Sequence, residues 1–126
     1  MINLEKQINY WITASVNDID TAELLINNNK YLNGLFFCHL AIEKAIKAHV
    51  VKSTQQIPPK SHNLFYLSEK ANLIFKENDG IFLGILMKYQ LQGRYPDYNP
   101  NIPNKTKVNE YLNKTKEIFK WIKEQL

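Results

Sequence analysis

From the start of this chain, residues recur in steps of three and four that trace one side of a helix: Leu4, Ile8, Trp11, Ile12, Ser15, Ile19, Ala22, Leu25 and Ile26. All but Ser15 are apolar, so the rhythm marks the buried face of a long amphipathic helix. No stretch of the sequence alternates with the period of two that a half-buried strand requires. The pattern therefore predicts an all-α fold. At 126 residues the chain can bury a modest core, and it reads as a single domain over 1–126.

The first helix should fail at "INNNKYLNG", where four asparagines and a glycine favour turns. A second is predicted from about Leu32 to Lys52, through "GLFFCHLAIEKAIKAHVV", and is apolar nearly all round. Such a helix belongs at the centre, covered on several sides. The prolines of "STQQIPPKS" stop it, and Ser61 is the expected N-cap of a third helix burying Leu64, Leu67, Ala71, Ile74 and Phe75. A fourth should begin near Asp79 or Gly80, bury Phe82, Ile85, Leu86 and Tyr89, and stop at about Gly93, since Pro96 disfavours helix just before it. "YPDYNPNIPN" reads as a loop. A last helix from Asn104 or Thr106 places Val108, Tyr111, Leu112, Thr115, Ile118, Phe119 and Ile122 on one face. The architecture expected is an antiparallel helical bundle of about five helices, with the first, second, fourth and fifth doing most of the packing.

Composition narrows the class. No apolar run approaches the roughly 18 to 20 residues that span a bilayer, so no membrane association is expected. The N-terminus lacks the basic and apolar blocks of a signal peptide. The single cysteine, Cys38, fits a reducing, cytoplasmic setting, and no cofactor or metal ligand set is legible around it. The net charge of +4 is uneven: residues 1–34 carry four acids against two lysines, and the remainder is basic. That balance suits either a nucleic-acid or nucleotide partner or a solvated lysine face.

Two clusters could carry chemistry. His39, Glu43 and Lys47 recur at i, i+4 and i+8 of the second helix, forming one polar stripe on an apolar element. The stripe reads as a satisfied polar seam, or as a site wall in which Glu43 holds His39 as proton carrier or ligand donor. His62, beside Ser61, reads as a packing or capping residue or as a further site member. His49 is expected at the surface. The second cluster is "GRYPDY", which contains Arg94, the only arginine beside fifteen lysines. A helix C-terminus needs only a cation, whereas a planar fork for carboxylate or phosphate needs Arg. Asp97 is its possible internal partner, and Tyr95 and Tyr98 could pack on the guanidinium or stack on a base. Loop clamp and ligand contact both remain open.

"AIEKAIKA" at 41–48, "SHNL" at 61–64 and "RYPDY" at 94–98 stand in order on successive elements. Together with Trp11 and "DIDTAELLINNNKYLNGLFFCH", they make nearly the whole chain resemble the HEPN family, named for nucleotide binding in higher eukaryotes and prokaryotes. The resemblance implies a compact bundle, commonly a homodimer, tied to nucleotide or RNA biology and often to a small nucleotidyltransferase partner, as in toxin–antitoxin pairs. Many members resemble one another in being metal-independent ribonucleases with an Arg followed four to six residues later by His. Arg94 matches the Arg, but no His follows His62. Loss of one general acid/base costs on the order of 10²- to 10⁴-fold. The reading is therefore a non-catalytic, dimeric module that binds a nucleotide-like anion or a nucleotidyltransferase-type partner. Candidate ligand contacts are Arg94, Tyr95, Asp97, Tyr98, His39, Glu43, Lys47 and His62. The alternatives are a toxin-type ribonuclease with a non-standard site, using His39 or His62, and a purely structural scaffold subunit.

Overall fold

The computed structural model describes residues 2–90 and 101–126. Among them five helices form and no strand: α1 (Leu4–Asn27), α2 (Tyr31–Thr54), α3 (Leu64–Lys70), α4 (Glu77–Met87) and α5 (Lys105–Glu124). The fold is an all-α bundle wrapped around α2.

α1 begins where the Asn3 side chain accepts the Lys6 N–H at 3.0 Å, satisfying a donor the helix leaves open. It ends at Asn28. Asn29 then takes the left-handed conformation (φ 63°), which Asn tolerates better than most residues, and the Lys30 N–H returns to the Leu25 carbonyl at 2.8 Å. So tight a link folds α2 back along α1. The two helices approach closely at Gly34, where an added Cβ would lie 2.4 Å from Ile26 Cγ1, so only glycine fits without displacement.

α2 supplies the core's axis: Leu35, Cys38, Ile42, Ala45 and Ile46 are all fully buried. Ala22 and Ile26 of α1, Leu64 and Leu67 of α3, Leu83 and Leu86 of α4, and Val108, Leu112, Ile118 and Ile122 of α5 close around them. α5 is capped by Asn104, whose side chain accepts the Lys107 N–H at 2.9 Å. Two polar contacts, the first buried and the second partly exposed, pin α1 to α2. The Ser15 hydroxyl donates to the Ala41 carbonyl at 2.6 Å, and Lys44 pairs with Asp18 at 2.8 Å.

The structure corrects the sequence reading in several places. Asn63, not Ser61, caps α3, accepting the N–H groups of both Phe65 and Tyr66; Ser61 instead accepts from Asn63. α3 is shorter than expected because Asn72 turns left-handed (φ 56°), which leaves Ile74 88% exposed rather than in the core. Phe75 lies past that turn, its ring 5.1 Å from that of Trp121. α4 starts earlier than expected, at Glu77, placing Glu77 and Asp79 in its first turn, where acids suit the helix dipole. α3 also packs on α2 over a wider contact than α4 does. His49, expected at the surface, is 5% exposed: the end of α5 covers it, and its Nε2 donates to the Ile122 carbonyl at 2.7 Å. No helix among the described residues is long and apolar enough to cross a membrane.

Candidate functional site

The polar stripe of α2 faces inward, and Glu43 is its hub. The Glu43 carboxylate is buried, so each of its oxygens needs a donor. Lys47 Nζ, one helical turn on, reaches Oε2 at 3.1 Å. His62 Nδ1, arriving from the segment before α3, reaches Oε1 at 3.0 Å. His39, one turn back, sits with Nδ1 3.8 Å from the same oxygen and donates Nε2–H to the His62 carbonyl at 3.0 Å. His39 thus holds the backbone of His62 while Glu43 holds its ring.

α1 roofs this cluster. Lys47 Nζ lies 5.4 Å from the centroid of the Trp11 ring, a geometry in which the aromatic face helps to accommodate the partly desolvated ammonium. The indole Nε1 of Trp11 is itself buried and finds no acceptor among the described residues. α4 closes the other flank: Met87 Sδ accepts the Leu64 N–H at 3.3 Å and contacts Gln90 Nε2 at 3.8 Å. The end of α4 therefore stands against the first residue of α3, two positions from His62.

Exposure separates the members. The side chains of Glu43 and His62 are 4% and 45% exposed. His39 and Lys47 are buried with Glu43, and His62 alone of the four presents its ring to the surface. A buried carboxylate behind a half-exposed imidazole orients the ring and selects its tautomer, an arrangement suited to proton transfer or to directed hydrogen bonding. Among the described residues, no group of three or more His, Cys, Asp or Glu is disposed to hold a metal ion.

Of the residues singled out from sequence, His39, Glu43, Lys47 and His62 come together. Arg94, Tyr95, Asp97 and Tyr98 lie outside the described residues. Sequence reasoning missed Trp11 as part of the site, and it missed the Glu43–His62 contact across 19 positions. Two other titratable groups are shifted by burial but stand apart from the cluster. Burial pushes the Cys38 thiol up to about 11, against weaker opposing help from Thr115 and Lys116. Burial also lowers His49, partly offset by its bond to the Ile122 carbonyl.

The family model for the HEPN domain matches residues 8–125, all five helices and nearly the whole chain. The chain belongs to the HEPN family. Its bundle superposes on the crystal structure of TT1696 from Thermus thermophilus with a TM-score of 0.80 at 20% identity, covering 95% of this chain and 98% of that one. It also superposes on the crystal structure of ST0689, described as an archaeal HEPN homologue, with a TM-score of 0.63 at 23% identity, covering 99% and 98%. At these identities the likeness speaks for the HEPN fold alone. No curated protein matches the chain.

Proposed function

We propose that this HEPN chain is a non-catalytic, dimeric module that binds a nucleotide-like anion, alone or together with a nucleotidyltransferase-type partner protein. The observation that carries the reading is the Glu43–His62 contact of 3.0 Å, which holds a half-exposed imidazole in one orientation beside the end of α4. Arg94 is the proposed anion grip. It is the only arginine beside fifteen lysines, and a planar fork for an anion needs Arg where a bare positive charge does not. The absence of any His after His62 in the sequence weighs against the family's ribonuclease chemistry at Arg94.

A thermal-shift panel of nucleotides and short RNA on wild type and Arg94→Lys tests the reading. A ligand at a hundred times its Kd adds about 2.7 kcal/mol, several degrees for a chain of this size. Stabilisation of the wild type that Arg94→Lys loses supports a guanidinium contact. Equal shifts in both proteins remove Arg94 from the site, and no shift with any ligand points to the scaffold role. The Glu43–His62 pair also favours a second reading, a ribonuclease in which His62 replaces the missing imidazole. Purified protein that leaves mixed RNA intact over hours would remove that reading.

A further inference from the structure

α4 is apolar beyond what the core takes from it. Phe82, Leu83 and Leu86 are buried, yet Ile81 is 59% exposed and Ile85 is only partly covered. Between α4 and α5 these two isoleucines line a groove of about 310 Å³. Its floor is the pair of Phe82 and Tyr111 rings, 5.6 Å apart. A Cβ added at Gly80 would meet no atom of the described residues within 4 Å, so that side of α4 is open. No residue of the Glu43 cluster lines the groove.

The charges around the groove are polarised along its length. α4 and α5 run antiparallel in a fixed register, with Asp79 paired to Lys114 at 2.8 Å and Phe82 facing Tyr111. Continued along both helices, that register sets Lys88 level with Lys105. One end therefore carries Glu77, Asp79 and Glu117 against Lys76 and Lys114, an excess of acid. The other carries Lys88, Lys105 and Lys107 against Glu110, an excess of base. Lys107 and Glu110 are both more than half exposed and 3.4 Å apart, so their pairing is a weak competitor for a partner's charges.

We propose that this groove receives one amphipathic helix of a partner protein, laid antiparallel to α4. Its apolar side chains, a turn apart, would seat between Ile81, Ile85 and Tyr111. Acidic residues in its first turn would then face Lys105 and Lys107, and basic residues in its last turn would face Glu77 and Glu117. The same distribution suits the incoming helix's own dipole. Shape favours a single helix over a second copy of this groove. Two helices side by side leave a concave seam that a third, convex helix fills, whereas groove against groove sets two concave faces together. The inference does not depend on nucleotide binding.

The experiment uses two labelled helical peptides with a leucine stripe at steps of three and four. One has Glu in its first turn and Lys in its last, and the other has those positions exchanged. Fluorescence anisotropy measures both on wild type, on Ile81→Glu and on Lys105→Glu/Lys107→Glu. Wild type should prefer the first peptide by about 3- to 10-fold, the worth of one or two exposed charge pairs. Ile81→Glu should weaken both by about tenfold, and Lys105→Glu/Lys107→Glu should remove the preference. Comparing the same two peptides across proteins cancels any difference in their own helicity. NMR of the wild type with the first peptide should shift Ile81, Ile85 and Tyr111, a readout that needs no variant. No binding of either peptide at millimolar concentration, shifts elsewhere, or a preference that the lysine substitutions leave intact overturns the proposal. So does light scattering in which Ile81→Glu alone turns a wild-type dimer into a monomer, because that result gives the groove to a second copy of this chain.

Discussion

Replacing Glu43 by alanine isolates what the cluster contributes to the fold. Lys47 is 6% exposed and its ammonium is held by Glu43 at 3.1 Å, so the substitution strands a buried cation. Breaking a buried pair from one side costs about 3–5 kcal/mol. His62 adds little to the loss, because its half-exposed ring finds water. The Trp11 face 5.4 Å from Lys47 Nζ, and the flexible lysine stem, return about 1 kcal/mol. The net expectation is about 2–4 kcal/mol, a fall in Tm of about 8–16 °C at roughly 4 °C per kcal/mol. Urea unfolding should show the midpoint falling with an unchanged m-value. The double variant Glu43→Leu/Lys47→Met leaves no stranded charge and should be more stable than Glu43→Ala, with a coupling of about 1–3 kcal/mol between the two positions. A Glu43→Ala protein within about 1 kcal/mol of wild type, or strict additivity in the cycle, would refute the claim that these side chains form one buried unit.

Three further outcomes follow from the packing. Gly34→Ala should cost about 1–3 kcal/mol in a denaturation experiment, because its Cβ would stand 2.4 Å from Ile26 Cγ1; paired with Ile26→Ala, which removes that carbon, it should cost less than the sum of the two single losses. His49 has its protonation opposed by burial, so the unfolded chain takes up that proton first as pH falls. Its contribution is therefore complete above the unfolded value of about 6.5 and is lost as pH drops below it, by at most about 1.4 kcal/mol per pH unit. Comparing the pH dependence of Tm in wild type and His49→Gln should show the flatter acid limb in the variant. Cys38, fully buried and raised to about 11, should resist a thiol reagent at pH 8 in the native protein and react as urea unfolds it. Rapid labelling of the native state would contradict that burial.

The helices most legible in the sequence are those whose periodicity is long. α1, α2 and α5 each run at least 20 residues, and their apolar spacing places the core correctly except in the first half of α1, where Leu4, Ile8, Trp11 and Ile12 are only half-buried. Short elements are less legible. In α3 the apolar pattern runs on to Ile74, but a left-handed Asn72 ends the helix first, and nothing in the local spacing weighs that turn against continuation. Ser61 and Asn63 are both competent caps, and geometry alone selects Asn63. His49 shows another kind of gap: what buries it is the end of α5, 73 positions away, so no local window carries the signal. The candidate site divides the same way. Helical spacing announces the His39, Glu43 and Lys47 stripe, including the Glu43–Lys47 pair. That His62 completes it, and that Trp11 roofs it, are products of tertiary packing.

The measurement that tests the central claim most directly is an NMR titration of nitrogen-15-labelled protein with AMP and with a ten-nucleotide RNA. The binding reading predicts saturable shifts centred on the His62 ring, Leu64 and Gln90, the residues grouped where α4 meets the start of α3. Shifts confined to the lysine-bearing face of α5, or none at millimolar ligand, would contradict it.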